Sequence, residues 1–140
     1  MCSPTASTEF FGEPISTYTR AQAIADGVLI DVTATAKEAG FSVPVALTRA
    51  AWEDYAAWTK EDSDRQTYQD ESGRLWDVLS MARLRISLAG NNATSSLLYR
   101  FLSVPRGGKA RQPRKVIAKI VSHGGDNGEH VITISLPNED

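Results

Sequence analysis

Residues Arg114–Asp140 read RKVIAKIVSHGGDNGEHVITISLPNED, and they settle the architecture of the carboxy-terminal half. Two apolar, β-branched runs, Val116–Val121 and Val131–Leu136, flank a turn rich in Gly, Asp and Asn. Short apolar runs bounded by turn residues form strands, and so short a connection joins them as a β-hairpin. Gly124, Gly125, Asp126, Asn127 and Gly128 are accounted for by the backbone needs of that turn alone.

Working back from the hairpin, Pro105–Pro113 is a basic loop, and Leu97–Val104 is the strand before it. Gly90-Asn91-Asn92 ends a helix over Arg74–Leu88, in which Leu75, Val78, Leu79, Ala82 and Ile86 recur at the 3.6-residue period of a core-facing stripe. The polar run Lys60–Gly73 (KEDSDRQTYQDESG) predicts an exposed loop. Before it, Thr48 caps a helix over Arg49–Thr59 that gathers Trp52, Tyr55, Ala56 and Thr59 on one face. Thr19–Gln22 and Thr35–Glu38 each match a capping box and predict two short helices, the first stopped by Gly27 and the second by Gly40. Val28–Val32 lies between them as a buried strand. Met1 to about Phe11 reads as an unstructured leader.

Helices precede strands, and no internal repeat is present. The expectation is one α+β domain spanning 1–140, with a mainly antiparallel sheet formed by the carboxy-terminal half and packed with three to four helices from the amino-terminal half. At 140 residues, 41% hydrophobic and 23% charged, the chain has the composition of a globular domain. Such a length buries roughly 65–70% of the unfolded surface, enough for a core without staples.

Composition also narrows function. The single cysteine, Cys2, excludes an intrachain disulfide and favours a reducing compartment. No apolar run reaches the ~20 residues of a membrane span, and the start MCSPTASTEF lacks the features of a signal peptide, so a cytoplasmic location without membrane partners is expected. A net charge of −2 argues against a global affinity for nucleic acid but permits a local patch.

The patch is the loop PRGGKARQPRK, where Arg106, Lys109, Arg111, Arg114 and Lys115 crowd ten residues. Such density binds phosphates through counterion release, and an acidic protein partner suits it equally. The bland reading is a solvated connection whose charge discourages edge-to-edge pairing. Glu61, Asp62, Asp64, Asp70 and Glu71 form a complementary acidic stretch. Without convergent ligand spacing it reads as a solvated surface, or as a partner surface that imitates phosphate. Trp58 and Trp76 sit off the apolar stripes of their helices, as interface anchors do.

Enzyme signatures are missing: there is no G-x-S-x-G, no Walker loop and no G-x-G-x-x-G after a strand. His123, Asp126 and His130 invite an acid–base reading, which gives the alternative of a small hydrolase centred on the 123–130 turn. Two histidines and a remote cysteine cannot assemble the usual zinc set, so no cofactor or metal is expected.

The segments YTRAQAIADGVLIDVTATAKEAGF (Tyr18–Phe41), PVALTRAAW (Pro44–Trp52), LWDVLSMAR (Leu75–Arg83) and GDNGEHVITISLPNED (Gly125–Asp140) resemble a family of small proteins, DUF6573, from phages, plasmids and other bacterial mobile elements. At the turn this chain has Ser122-His-Gly-Gly-Asp126 where the family carries a Gly-Pro-Gly-Asp type of sequence. The resemblance implies a setting and no activity. In that setting small acidic proteins commonly bind and block a host defence component, in the manner of an anti-CRISPR. The expected function is therefore a non-enzymatic binding protein acting on a host protein or ribonucleoprotein complex. A nucleic-acid-binding accessory or regulatory protein using residues 106–115 is the alternative.

Overall fold

A computed structural model describes residues 18–90 and 95–139. The expected leader and the Asn91-Asn92 helix stop lie outside the described residues. The elements run α1 (Arg20–Ala25), β1 (Leu29–Asp31), α2 (Thr33–Glu38), β2 (Val45–Thr48), α3 (Arg49–Ala51) continued by a π-helical turn (Trp52–Ala56), α4 (Lys60–Arg65), α5 (Glu71–Ala89), β3 (Ser96–Ser103), β4 (Arg114–Gly124) and β5 (His130–Ser135). The fold is α+β, with one five-stranded sheet in the order β1-β2-β5-β4-β3. Only β2 and β5 run parallel, and the chain between them carries α3, α4 and α5 and then the β3 and β4 strands.

Alternation along the strands assigns the two faces. Val45 and Leu47 of β2, Ile132 and Ile134 of β5, Ala118 and Ile120 of β4, and Tyr99 and Phe101 of β3 point to one side, and all are buried. Against that side α5 lays Leu75, Val78, Leu79 and Ala82, so the predicted stripe forms the core. Leu47, Leu79 and Ile134 are fully buried, each stabilising the fold by about 1.5–3 kcal/mol. Tyr55 stands edge-on to Phe101 at 5.3 Å, and its hydroxyl donates at 2.6 Å to the Ile117 carbonyl. That carbonyl lies on the β5 side of β4, two residues before Lys119, where pairing with β5 at Ser135 begins.

The other face is partly covered by α1. Arg20 reaches across it to donate to Thr133 Oγ1 at 2.9 Å and to the Ile132 carbonyl at 3.0 Å. The Thr19–Gln22 capping box forms as predicted and starts α1. Thr35–Glu38 does not form one: α2 begins two residues earlier, at Thr33.

Two other expectations are corrected. The helix predicted over Arg49–Thr59 is capped by Thr48 but ends at Ala56, through the π-helical turn. The predicted loop Lys60–Gly73 holds α4, started by a second capping box in which the Thr59 hydroxyl accepts from the Asp62 N–H and Asp62 returns to the Thr59 N–H.

Candidate functional site

The basic loop is anchored to α4 and to the π-helical turn. Arg106 Nε donates to Asp62 Oδ2 at 2.8 Å, and its Nη1 reaches Glu53 Oε1 at 2.9 Å. Gln66, just past α4, donates from Nε2 to the carbonyls of Pro105 and Ala110, both at 2.8 Å. Its Oε1 accepts the Gly107 N–H at 3.0 Å. One buried amide therefore holds three points of the loop, and Gly107 turns there with φ of +92°.

Asp62 is the hub. It is 3% exposed, closes the α4 capping box, receives Arg106 and pairs with Arg65. The Thr59 backbone N–H holds its carboxyl well below the usual carboxylate range, and Arg106 adds to this against the opposing effect of burial. Burial lowers the Arg106 pKa, but hydrogen bonds to Asp62 and Glu53 outweigh it and raise the value overall.

Beneath the hub, buried Arg74 of α5 donates to the carbonyls of Ala56, Val104 and Asp54 and stacks 4.5 Å from the Trp58 ring. Two of those carbonyls belong to the π-helical turn, where the chain leaves helical bonding and acceptors need a donor. Burial brings the Arg74 pKa down to about 10, which leaves it charged at neutral pH.

This geometry corrects part of the expected contact surface. Trp58 is buried, with its indole N–H donating to Ser63 Oγ at 3.0 Å. Asp62 and Arg106 are spent on each other. Glu71 accepts from the Trp58 backbone N–H at 3.3 Å, and Asp64 lies 4.0 Å from Lys60. Glu61 and Asp70 are exposed, and Trp76 is 42% exposed on the outside of α5. Lys109, Arg111, Arg114 and Lys115 are exposed, and none makes a side-chain hydrogen bond or ion pair among the described residues. Sequence reasoning missed Gln66, whose partners lie 39 and 44 positions away. It also missed Tyr68, two residues beyond Gln66 and 78% exposed.

The hairpin turn serves the scaffold. Asp126 accepts the backbone N–H groups of Arg20 and Ala21 at 2.7 and 3.0 Å, fastening the start of α1. His123 Nε2 lies 2.9 Å from Thr133 Oγ1, while His130 pairs with Ser122. The three side chains thus have three separate partners. A Cβ on Gly125 would meet only the Glu129 carboxylate, at 2.6 Å, the end of a flexible side chain that can turn aside. Among the described residues no group of His, Cys, Asp and Glu could hold a metal, and no helix is long and apolar enough to cross a membrane.

Fold and site together define a small α+β protein with a five-stranded mixed sheet and a rigidly held basic loop. The chain belongs to a family of unknown function, DUF6573, whose model matches residues 8–140. No curated protein and no solved structure matches it.

Proposed function

We propose that this is a non-enzymatic binding protein whose contact surface is the basic loop and the strand start it feeds, Lys109, Arg111, Arg114 and Lys115, presented to an acidic protein partner. One observation carries the reading. Arg106 and Gln66 fix the loop from within, while the four cations beyond them have no side-chain hydrogen bond or ion pair among the described residues. Beyond its contribution to stability, such anchoring fixes the path along which these cations are displayed. Fixing a charged loop in advance lowers the ordering cost of binding.

A mobile-element origin and a blocking role against a host defence complex belong to the same proposal, carried by the sequence resemblance and not by geometry. Exposed Tyr68, close in sequence to the loop-holding Gln66, favours a second reading, in which a nucleic-acid base stacks beside the cations. The hydrolase alternative has no comparable support, because His123, Asp126 and His130 do not converge.

The test compares wild type with the Lys109→Glu/Arg111→Glu/Arg114→Glu variant in affinity capture from a bacterial lysate, alongside gel shifts with single- and double-stranded DNA and RNA across salt. The expected result is a specific protein captured by wild type and lost by the variant, with no shift at low salt. Equal capture by both proteins sinks the proposal. A shift with a steep log–log salt slope, lost in the variant, transfers it to nucleic acid.

A further inference from the structure

Three cross-strand pairs make up the outward face of β3 and β4: Leu98 with Lys119, Arg100 with Ile117, and Leu102 with Lys115. Their side chains point away from the core, because Tyr99, Phe101, Ala118 and Ile120 take the buried side. Each pair sets one aliphatic beside one cation, and the strand that supplies the cation alternates. The result is an apolar zigzag, Leu98–Ile117–Leu102, interleaved with a cationic one, Lys119–Arg100–Lys115. Leu98, Ile117 and Leu102 are 54%, 43% and 60% exposed. None of the three cations has an ion pair among the described residues, and Lys119 donates only to the Glu139 carbonyl. Neither strand contains an Asp or a Glu. The other end of the same face is already covered: α1 packs beside β1, and its Arg20 reaches Thr133 and the Ile132 carbonyl of β5. A cleft of about 780 Å³, lined by Ala23, Val121, His123 and Thr133 among others, lies between α1 and β4.

We infer that the open part of this face is the dock for an acidic amphipathic helix of a protein partner. Its apolar stripe would lie on Leu98, Ile117 and Leu102, and its carboxylates would meet Arg100, Lys115 and Lys119. The inference rests on the acidic-partner reading above and extends it, since Lys115 belongs both to the strand start fed by the loop and to this face.

Charge complementarity selects the occupant. An uncharged apolar partner would cover the three aliphatics but strip water from three cations with nothing in return, a cost that carboxylates on the partner remove. A second copy of the chain presenting the same face would set cation against cation. Nucleic-acid bases stack on aromatic rings, and no aromatic ring of β3 or β4 points outward, since Tyr99 and Phe101 are buried. Dimensions fit a helix. Leu98 and Leu102 stand four residues apart on one strand, about 13 Å, with Ile117 diagonal to both. Helical positions i, i+4 and i+7 span about 10.5 Å along one side. A helix laid there would extend the layer that α1 begins at the other end of the sheet.

The test titrates the isotope-labelled full chain by NMR with a synthetic helical peptide of about fifteen residues, roughly four turns, carrying leucines at i, i+4 and i+7 and glutamates beside them. A scrambled peptide of the same composition is the control, and anionic phosphatidylserine vesicles are tried in parallel. The Leu98, Arg100, Leu102 and Ile117 amides should shift with the helical peptide and not with the scrambled one. Leu98→Thr/Leu102→Thr/Ile117→Thr, which keeps strand-forming residues, should bind at least about tenfold more weakly, and so should Arg100→Glu. Unchanged exchange protection of the Ala118 and Ile120 amides shows the fold intact, and if the threonine variant does not fold, Arg100→Glu decides alone. Equal shifts with both peptides, or none with either, overturn the inference. So do binding to vesicles without binding to the peptide, and shifts of the same amides on concentrating the chain alone, which assign the face to a membrane or to a second copy. In the lysate capture described above, a partner lost by the loop variant but kept by the threonine variant overturns this inference and leaves the loop reading standing. A partner lost by the threonine variant but kept by the loop variant does the reverse.

Discussion

Replacing Asp62 by alanine probes whether the loop is held from α4. The change removes the reciprocal capping bond at Thr59, worth about 1 kcal/mol. It also removes the charge-assisted bond from Arg106, which lies at the lower end of about 1.5–3 kcal/mol because Arg106 keeps Glu53 and its side chain is 23% exposed. Together these give about 2.5 kcal/mol, or a fall in Tm of about 10 °C for a domain of this size. The loss should depend on pH. The folded-state pKa of Asp62 is lowered, first by the Thr59 N–H, so its contribution is present above the unfolded carboxylate pKa of about 4 and is lost as pH falls below that value. Thermal melts of wild type and Asp62→Ala from pH 7 to pH 2.5 should therefore show a gap that is constant at neutral pH and narrows steadily below about pH 4. Exchange of the Gly107 amide, which Gln66 protects, should also accelerate in the variant. A Tm gap under about 2 °C at pH 7, or one that stays constant down to pH 2.5, refutes the placement of Asp62 at the hub.

Arg74→Met should lower stability by about 2–4 kcal/mol in urea denaturation, because it strands three carbonyls without a donor, and Arg74→Lys should recover only part of this since an ammonium lacks the fork. Tyr55→Phe should cost about 1 kcal/mol through the bond to Ile117, and alkaline absorbance titration should find the Tyr55 phenol pushed up to about 12, chiefly by burial. The raised value means that its contribution holds below pH 10 and disappears as pH rises through the folded pKa. The tryptophans should separate: Trp58→Ala should cost about 3–5 kcal/mol, and Trp76→Ala under about 1 kcal/mol in the same assay.

Local chemistry explains what was legible beforehand. The β4–β5 hairpin, the α5 stripe and the caps at Thr19 and Thr48 depend on residues within a few positions of one another, and these formed as read. β2 was not foreseen. Its four residues, Val45–Thr48, carry no turn signal of their own and become a strand by sliding beside β5, with Val45 opposite Ile132, 87 positions away in the chain. That insertion makes the sheet mixed and gives the hairpin a buried neighbour. Trp58 and Asp62 were misplaced for a related reason. Their exposure was inferred from helical periodicity and polarity, but the π-helical turn shifts the phase of the chain after Ala51, and Arg106, 44 positions on, makes a buried carboxylate affordable. Thr35–Glu38 had the letters of a capping box and failed as one because Thr33 already starts the helix.

The acidic and basic segments, which in the sequence look like two rival contact surfaces, form one device in the fold. Asp62 and Glu53 neutralise Arg106 alone, and Gln66 fixes the loop's path through neutral amide bonds. Anchoring therefore consumes one cation and leaves Lys109, Arg111, Arg114 and Lys115 at the surface without an ion pair among the described residues. If holding the loop were the whole purpose, any of the neighbouring carboxylates Glu61, Asp64 or Asp70 could have been placed to pair with those cations, yet Asp64 lies beside Lys60 and the other two face solvent. The arrangement separates a structural charge pair from a presented one. It follows that reversing charge on α4 at Asp62 and reversing charge on the loop tip should give opposite phenotypes. The first should lower stability and loosen the loop while its exposed cations keep weak, salt-sensitive binding. The second should leave Tm within about 2 °C of wild type and abolish binding.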